Sequence, residues 1–195
     1  SVVVIFAGSR LYSQYREQVI RTEESQLLTM AGIVGNNLNS YMEQQLEEID
    51  LFYSQEGMPE NVWAESGGIN ARTAYFLKEN AGVYNWITVT EPDGTKFRYE
   101  LGKKTFRESA DGEVKAVDSQ DGNHPAEITG KEISDQTGWY ELYIEKNIPV
   151  GSEVYMLTFA MDLGALYEKI VAPVKIGEAG YSSVKDQNMN IIMHH

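Results

Sequence analysis

The residues best suited to chemistry lie in the second half of the chain, where aromatic rings alternate with a few charges. Pockets for small molecules have aromatic walls and a few convergent polar groups, and an arginine can pair with an anion. An aspartate that ends a strand can contact a ligand in the same pocket. The candidate ligand-binding residues are Trp86, Arg98, Tyr99, Trp139, Tyr140, Tyr143 and Asp162, with Tyr84 beside them.

Each candidate also has a purely structural interpretation. Aromatic rings suit the core of a β-sheet, and Arg98 suits the surface of a strand. Asp162 precedes a predicted helix and suits its N-cap. Both interpretations stay open at the level of sequence.

Catalytic and metal-binding patterns are absent from the sequence. It contains no Gly-x-Ser-x-Gly elbow, no Walker loop, no Gly-x-Gly-x-x-Gly and no His-Glu-x-x-His. His124 is followed by proline in a polar stretch, where a solvated side chain is expected. Glu141 and Glu145 are interpreted as part of a solvated strand face. We therefore predict no enzyme, no cofactor and no metal site in this region.

Composition excludes further classes of function. The 195 residues carry a formal net charge of −13, which argues against binding to a nucleic-acid backbone. The absence of cysteine excludes disulfides and thiolate sites. The hydrophobic content of 42% is ordinary and allows a real core.

The first quarter of the chain predicts one long amphipathic helix, assigned to residues 11–56. Its apolar residues recur at steps of three and four, the spacing of one helical face, and no proline interrupts them. Gly32 and Gly35 indicate a bend, a close neighbour or a break between two helices. The half from Leu38 to Phe52 is expected to pack on the rest of the chain, and the half before it to project.

Before this helix, Ser1 to Ala7 form a purely apolar run. Seven residues are too few for a membrane span, which needs about 20. The run is either a buried strand or the outer end of a truncated transmembrane segment at residues 1–10. We favour the second interpretation because a long amphipathic helix follows.

After residue 80 the hydrophobic period changes from 3.6 to 2, which predicts strands. A hairpin is expected around the turn Pro92-Asp93-Gly94, then a polar stretch with a short helix or turns over residues 102–132. A strand pair follows, with a turn at Pro149 to Gly151 and a helix from Leu163 to Val171. Two short helices are expected before the first strand, near Pro59 to Trp63 and over Ala71 to Asn80. The predicted strands are 84–90, 95–101, 139–147 and 153–161.

This order predicts an α+β fold, in which the long N-terminal helix packs on an antiparallel sheet of about five strands with short helices. The strand at 153–161 is the most hydrophobic and is expected to be central. A final hairpin at 181–193 is expected to complete the sheet.

The segment from Gly138 to Met193 resembles the extracytoplasmic Cache family, also called PDC domains, whose sheet is PAS-like. The resemblance is carried by EVYMLTFAMDLGALYEKI, where a strand pair ends in Asp162 before a helix, and by KIGEAGYSSVKDQNMNII. The latter is similar to the family's Gly-x-x-Gly-Tyr hairpin, although residues 185–188 replace its usual Asp-x-x-Gly turn. The hairpin at 86–99 also looks like the family's first two strands.

The resemblance implies a function for residues 57–195 as a sensor domain outside the cytoplasm, anchored in the cell membrane. A small ligand would bind the concave sheet face, and the signal would pass through the N-terminal helix to a histidine kinase, a diguanylate cyclase or a chemoreceptor module. A homodimer through that helix is expected. Asp162 matches the aspartate of the family's amino-acid motif, but its Arg-x-Trp-Tyr group is absent, so amino-acid recognition is not implied.

An alternative of another class is a helical or adhesion-type interaction domain with no small-molecule ligand. In that reading the long helix forms a coiled coil and the sheet is its cap. An extracellular hydrolase is disfavoured because no catalytic constellation is visible.

Overall fold

The computed structural model describes residues 2–54, 68–101, 106–108, 124–174, 180 and 182–194, with only the backbone at 2–11, 13 and 106–108. Its helices are α1 (Val2–Tyr53), α2 (Gly68–Glu79) and α3 (Leu163–Leu166), the last continued by a π-helical turn (Tyr167–Val171). Its strands are β1 (Tyr84–Thr90), β2 (Lys96–Glu100), β3 (Phe106–Glu108), β4 (Glu127–Ile133), β5 (Tyr140–Val150), β6 (Glu153–Asp162), β7 (Val184–Lys185) and β8 (Ile191–Met193).

The main sheet has six strands in the order β3-β2-β1-β6-β5-β4, and every neighbouring pair is antiparallel. β6 lies inside the sheet, as its hydrophobic sequence predicts. The long helix, the antiparallel sheet and the short helices confirm the predicted α+β fold. The sheet has six strands instead of about five, because the edge strands β3 and β4 were not predicted, and the final hairpin is not part of it.

Helix α1 is continuous over 52 residues and passes through Gly32 and Gly35 without a break. Because no proline interrupts it, the backbone hydrogen-bond ladder can continue across the glycines. Side chains described between positions 12 and 33 are almost all exposed, and burial begins at Val34. Ile49 and Tyr53 are buried almost completely. Among the described residues, no helical stretch has the length and apolar character needed to cross a bilayer.

The core forms around Phe159 of β6, which contacts rings from three other elements. Tyr53 of α1, Phe76 of α2 and Tyr84 of β1 have their ring centroids 6.0, 5.7 and 5.7 Å from it. Such tilted and edge-to-face pairs add to the hydrophobic gain of burying the rings. One aromatic side chain thus holds both helices against the middle of the sheet.

A buried ion pair fixes the end of α1 to the same face. The Lys146 ammonium of β5 donates to Asp50 Oδ1 at 2.7 Å and to the carbonyl of His124 at 3.1 Å. Asp50 Oδ1 also accepts from the backbone N–H of Ala126 at 2.9 Å. Lys146 is 4% exposed, so its charge is compensated where water cannot reach it.

Two local predictions differ from the structure. Residues 127–133, predicted as a loop or short helix, form β4 at the sheet edge. Most of β4 is exposed, and an edge strand needs no continuous apolar face, so its polar composition concealed it. The turn predicted over Pro149 to Gly151 begins later than expected, because Pro149 pairs with Val154 inside the β5–β6 ladder and the chain turns at Gly151, whose φ is 62°.

The final hairpin does not complete the main sheet. β7 and β8 form a separate two-stranded sheet, and Asp186 organises their turn by accepting from the backbone N–H groups of Asn188 and Asn190, both at 2.9 Å. Lys131 of β4 also donates to Asp186, which joins the hairpin to the sheet edge. The helix predicted near Pro59 to Trp63 lies outside the described residues.

Candidate ligand-binding site

The main sheet has two chemically different faces. One packs against α1 and α2 and is apolar. The other, called here the outer face, carries the side chains that alternate with the core residues. Its described members include Trp86 and Thr88 of β1, Arg98 of β2, and Glu141 and Tyr143 of β5, as strand pairing and alternation require.

Four of these side chains form a contiguous group, the Trp86 cluster, defined as Trp86, Arg98, Glu141 and Tyr143. The Arg98 guanidinium lies over the Trp86 ring, 4.2 Å from its centroid, and the Trp86 and Tyr143 centroids are 5.5 Å apart at 52°. The Trp86 indole N–H donates to Glu141 Oε2 at 3.1 Å. Aromatic surface, a cation and a carboxylate therefore converge, which is the composition of a small-molecule site.

Glu141 is the buried anchor of this cluster, with 4% of its surface exposed. Its second oxygen, Oε1, accepts from the side-chain amide of Asn85 at 2.7 Å. A buried carboxylate is tolerated only when its lone pairs are used, and hydrogen bonds to a charged acceptor are the strong ones. Glu141 thereby fixes the orientation of both Asn85 and Trp86.

Arg98 is held in the cluster by the carboxylate of Glu100 and by the ring of Trp86. Its Nε lies 3.0 Å from Glu100 Oε1, yet the Nε–H makes no hydrogen bond, because ion-pair distance alone does not direct the N–H at an acceptor. The Arg98 side chain as a whole is 27% exposed. Arg98 is thus positioned by Glu100 and by the Trp86 ring, and part of it faces solvent.

Tyr143 lies among several charged side chains. Burial, the hydrogen bond to Glu132 and the charges of Glu132 and Glu141 raise the pKa of Tyr143 to about 12, although Arg98 opposes them. Its hydroxyl donates to Glu132 Oε2 at 3.1 Å. Tyr143 therefore stays protonated at physiological pH and presents a neutral ring.

The other sequence candidates are not part of the cluster, although Asp162 pairs with Glu141 in the β5–β6 ladder. Tyr99 is on the core face, 9% exposed, and its hydroxyl donates to Asn70 Oδ1 of α2 at 2.5 Å. Trp139 packs on Tyr167, with centroids 5.5 Å apart, and Tyr140 packs against the core. Asp162 caps α3, accepting from the Gly164 N–H at 2.8 Å.

Glu141 and Asn85 were missed as site residues. Glu141 was interpreted as solvated, which is wrong: its neighbours on the outer face bury it. The available signal was the i, i+2 relation of Glu141 to Tyr143, which places the two on one strand face. No comparable signal marks Asn85, because its position depends on an irregularity in β1.

Cavities lined by other described residues lie away from the Trp86 cluster. An apolar groove of about 520 Å³ lies between α1 and the C-terminal segment, with Leu27, Val34, Leu38, Val174 and Val184 among its lining residues. A polar cavity of about 510 Å³ is lined by residues that include His124, Glu145 and Lys146. Within the described parts of the chain, no group of His, Cys, Asp and Glu side chains could hold a metal ion.

Neither protein-family models nor curated proteins yield a match to this chain. Among solved structures, it is similar to a domain of a sensory box/GGDEF family protein from Vibrio parahaemolyticus, with a TM-score of 0.52, 16% identity and coverage of 77% of this chain. The chain spans 64% of that structure's length.

The ligand-binding domain of the Campylobacter jejuni chemoreceptor Tlp3 is also similar. Its complex with 4-methylisoleucine has a TM-score of 0.56 at 15% identity, and its complex with L-norvaline a TM-score of 0.53 at 16% identity. Each match covers 88% of this chain and 70% of the other. At such identities the likeness concerns the fold, and the fold of this chain is that of these sensor and chemoreceptor domains, which confirms the resemblance to the Cache (PDC) fold.

Proposed function

We propose that this chain is the extracytoplasmic sensor domain of a membrane receptor, and that it binds a small organic ligand on the outer face of its sheet. The observation that carries the proposal is the Trp86 cluster, where two aromatic rings, a partly exposed arginine side chain and a buried carboxylate meet. A fold shared with chemoreceptor ligand-binding domains supports it, and the Tlp3 complexes contain small amino-acid ligands.

The cluster suits a ligand with an apolar or planar part and a polar end. The rings of Trp86 and Tyr143 offer dispersion and stacking surface. Arg98 offers a charge-assisted donor to an anionic group once it turns from Glu100. Each oxygen of Glu141 already accepts one hydrogen bond, so we assign Glu141 the role of orienting Trp86 and Asn85.

A thermal-shift screen tests the ligand proposal. Amino acids, organic acids, amines and sugars are added singly to the purified chain, and a compound at 100 times its dissociation constant should stabilise by about 2.7 kcal/mol. Trp86→Phe and Arg98→Gln should weaken that response. Tyr155→Phe, which removes a hydroxyl near Glu153 on β6, is the control. Silence across the whole panel would favour the interaction-domain alternative.

We further propose that α1 carries the signal toward the membrane and pairs with its copy in a homodimer. The support is the contrast along α1, where large apolar side chains are exposed before Val34 and, apart from Leu51, at least partly covered after it. The exposed ones before Val34 include Tyr12, Tyr15, Ile20, Leu27, Leu28, Met30 and Ile33. A cytoplasmic kinase, cyclase or chemoreceptor module would receive the signal.

The sequence encoded upstream of Ser1 tests the proposed membrane anchoring. Residues encoded upstream of Ser1 should extend the apolar run to about 20 residues. An upstream sequence rich in charge would contradict the receptor proposal.

A further inference from the structure

The first residues of β1 contain a β-bulge. Opposite β6, Tyr84 pairs with Met161 and Trp86 pairs with Ala160, so Asn85 is an extra residue in β1. In a regular strand, residues two apart point to the same face. The bulge therefore places Tyr84 and Trp86 on opposite faces of the sheet.

On the core face, Tyr84 contacts α1. Its hydroxyl donates to Gln45 Oε1 at 3.1 Å, and both residues are buried, with 1% and 5% of their surfaces exposed. The Tyr84 ring also packs on Phe76 and Phe159, at 5.8 and 5.7 Å between centroids. Any change in the backbone at Tyr84 is therefore felt by α1.

On the outer face, the next two residues hold the Trp86 cluster. Asn85 and Trp86 donate to the two oxygens of Glu141. Three consecutive residues thus connect a buried glutamine of α1 with the buried carboxylate of the candidate site. The bulged backbone of β1 joins the two contacts directly.

We propose that the Asn85 bulge couples the Trp86 cluster to α1. A ligand that moves Trp86 or Glu141 shifts the bulge and changes the Tyr84–Gln45 hydrogen bond. Bulges suit this role because the ladder is locally disrupted and the extra residue re-aims its neighbours. Coupling is reciprocal, so a change at Gln45 must also alter the cluster. As a signalling route, the coupling rests on the proposed ligand-binding function.

The first test follows the route from α1 to the cluster in the ligand-free chain. The protein is labelled with 5-fluorotryptophan, and Trp86→Phe identifies the Trp86 fluorine resonance. Tyr84→Phe, which removes only the hydroxyl, and Gln45→Met, which removes its acceptor, should both shift that resonance. The Trp139 resonance should stay in place.

Tyr53→Phe is the matched control. Tyr53 is also buried, packs on the same Phe76 and Phe159, and its hydroxyl bonds Thr73 at 3.2 Å, so its hydrogen bond goes to α2 and not to Gln45 or the bulge. It should leave the Trp86 resonance in place. A Trp86 resonance unmoved by both Tyr84→Phe and Gln45→Met, or moved equally by Tyr53→Phe, would overturn the coupling.

The second test runs in the opposite direction. Glu141→Gln should reduce hydrogen-exchange protection of α1 amides around Gln45. Combined with Tyr84→Phe in a double-mutant cycle, its effect on the unfolding equilibrium constant should depart from the product of the single effects by more than about twofold, the limit within which independent sites add. Unchanged exchange together with additivity within that limit would contradict the proposal.

Both tests use ligand-free protein, so they separate the two proposals. Coupling seen in both tests alongside a silent ligand panel would remove the ligand function and leave the coupling in place. A ligand found in the panel alongside an unmoved Trp86 resonance would remove the coupling and leave the ligand function.

Discussion

Glu141 is a buried carboxylate that fixes the positions of other residues in the candidate site. It accepts hydrogen bonds from the side chains of both Asn85 and Trp86, which belong to β1. Removal of the acceptor leaves two half-buried donors without their partner. Such groups cost more than the hydrogen bonds themselves contribute.

We therefore predict that Glu141→Leu lowers the free energy of unfolding by about 2 kcal/mol or more. Urea unfolding monitored by circular dichroism measures this change. Glu145→Leu, on the same strand face, should change stability by less than about 0.5 kcal/mol. Equal effects of the two variants would show that Glu141 has no special role.

Gly164 is required for a close approach in α3. A Cβ built at this position would lie 2.7 Å from Trp139 Cγ, which lies in the middle of a packed side chain and cannot move aside freely. Gly164→Ala should therefore destabilise the protein by about 1–3 kcal/mol, in the range of overpacked cores. Gly130→Ala is the control, because its Cβ would meet Tyr143 at an ordinary 3.9 Å. Thermal unfolding of both variants checks the contrast.

At the scale of elements, the Lys146–Asp50 pair joins α1 to β5. Lys146→Met leaves the Asp50 carboxylate with its N–H partner from Ala126 but without its cation. A fully buried pair broken on one side loses about 3–5 kcal/mol. Because the Asp50 side chain is 34% exposed, we expect about 2 kcal/mol after solvent screening.

Chemical denaturation measures that loss, with the exposed Lys185→Met as control. The double variant Lys146→Met, Asp50→Leu should recover part of the lost stability, since two apolar partners leave no unpaired charge. A single variant as stable as the parent chain would show that α1 docks without this pair.

The β7–β8 hairpin should respond to acid through Asp186. Hydrogen bonds from Lys131 and from the Asn190 and Asn188 N–H groups hold the pKa of Asp186 below its ordinary value of 3.8. A folded-state pKa below the unfolded one contributes stability above pH of about 4, and that contribution disappears as the pH falls further.

Asp186→Asn should therefore be less stable than the parent chain at pH 7, and the difference should shrink below pH of about 4. Urea unfolding from pH 7 to pH 3 measures it. Asp135→Asn, at an exposed position, should show no such convergence. A difference that grows toward acid would give the opposite sign and refute this linkage.

At the scale of the molecule, the exposed apolar residues of α1 make self-association testable. Leu28 and Leu51 are 74% and 67% exposed on the same helix, but only Leu28 lies in the part that no other described element covers. Leu28→Glu should weaken the proposed dimer at least tenfold, which corresponds to about 1.4 kcal/mol, whereas Leu51→Glu should not. Sedimentation velocity over a range of concentrations distinguishes them.

The sequence predicts the local features of this structure better than the features that depend on strand pairing. β1 occupies the predicted residues 84–90, and Asp162 caps α3 as one of its two interpretations required, because alternation and capping are local signals. The burial of Glu141, the bulge at Asn85 and the edge strand β4 were not predictable. Each depends on the neighbouring strand in the sheet, and that strand is distant in the sequence.

Because α1 continues through Gly32 and Gly35 without a break, it can move as one rigid helix that is docked on the domain from about Val34 onward. The uncovered arm from residue 12 to residue 33 is about 33 Å long at 1.5 Å per residue. A tilt of only about 3° at the docked end would carry the far end by about 2 Å, the size of shift that packed interfaces use to change state. Under the proposed coupling, a rearrangement at the Asn85 bulge that tilts α1 by this angle would displace the far end of the helix by about 2 Å.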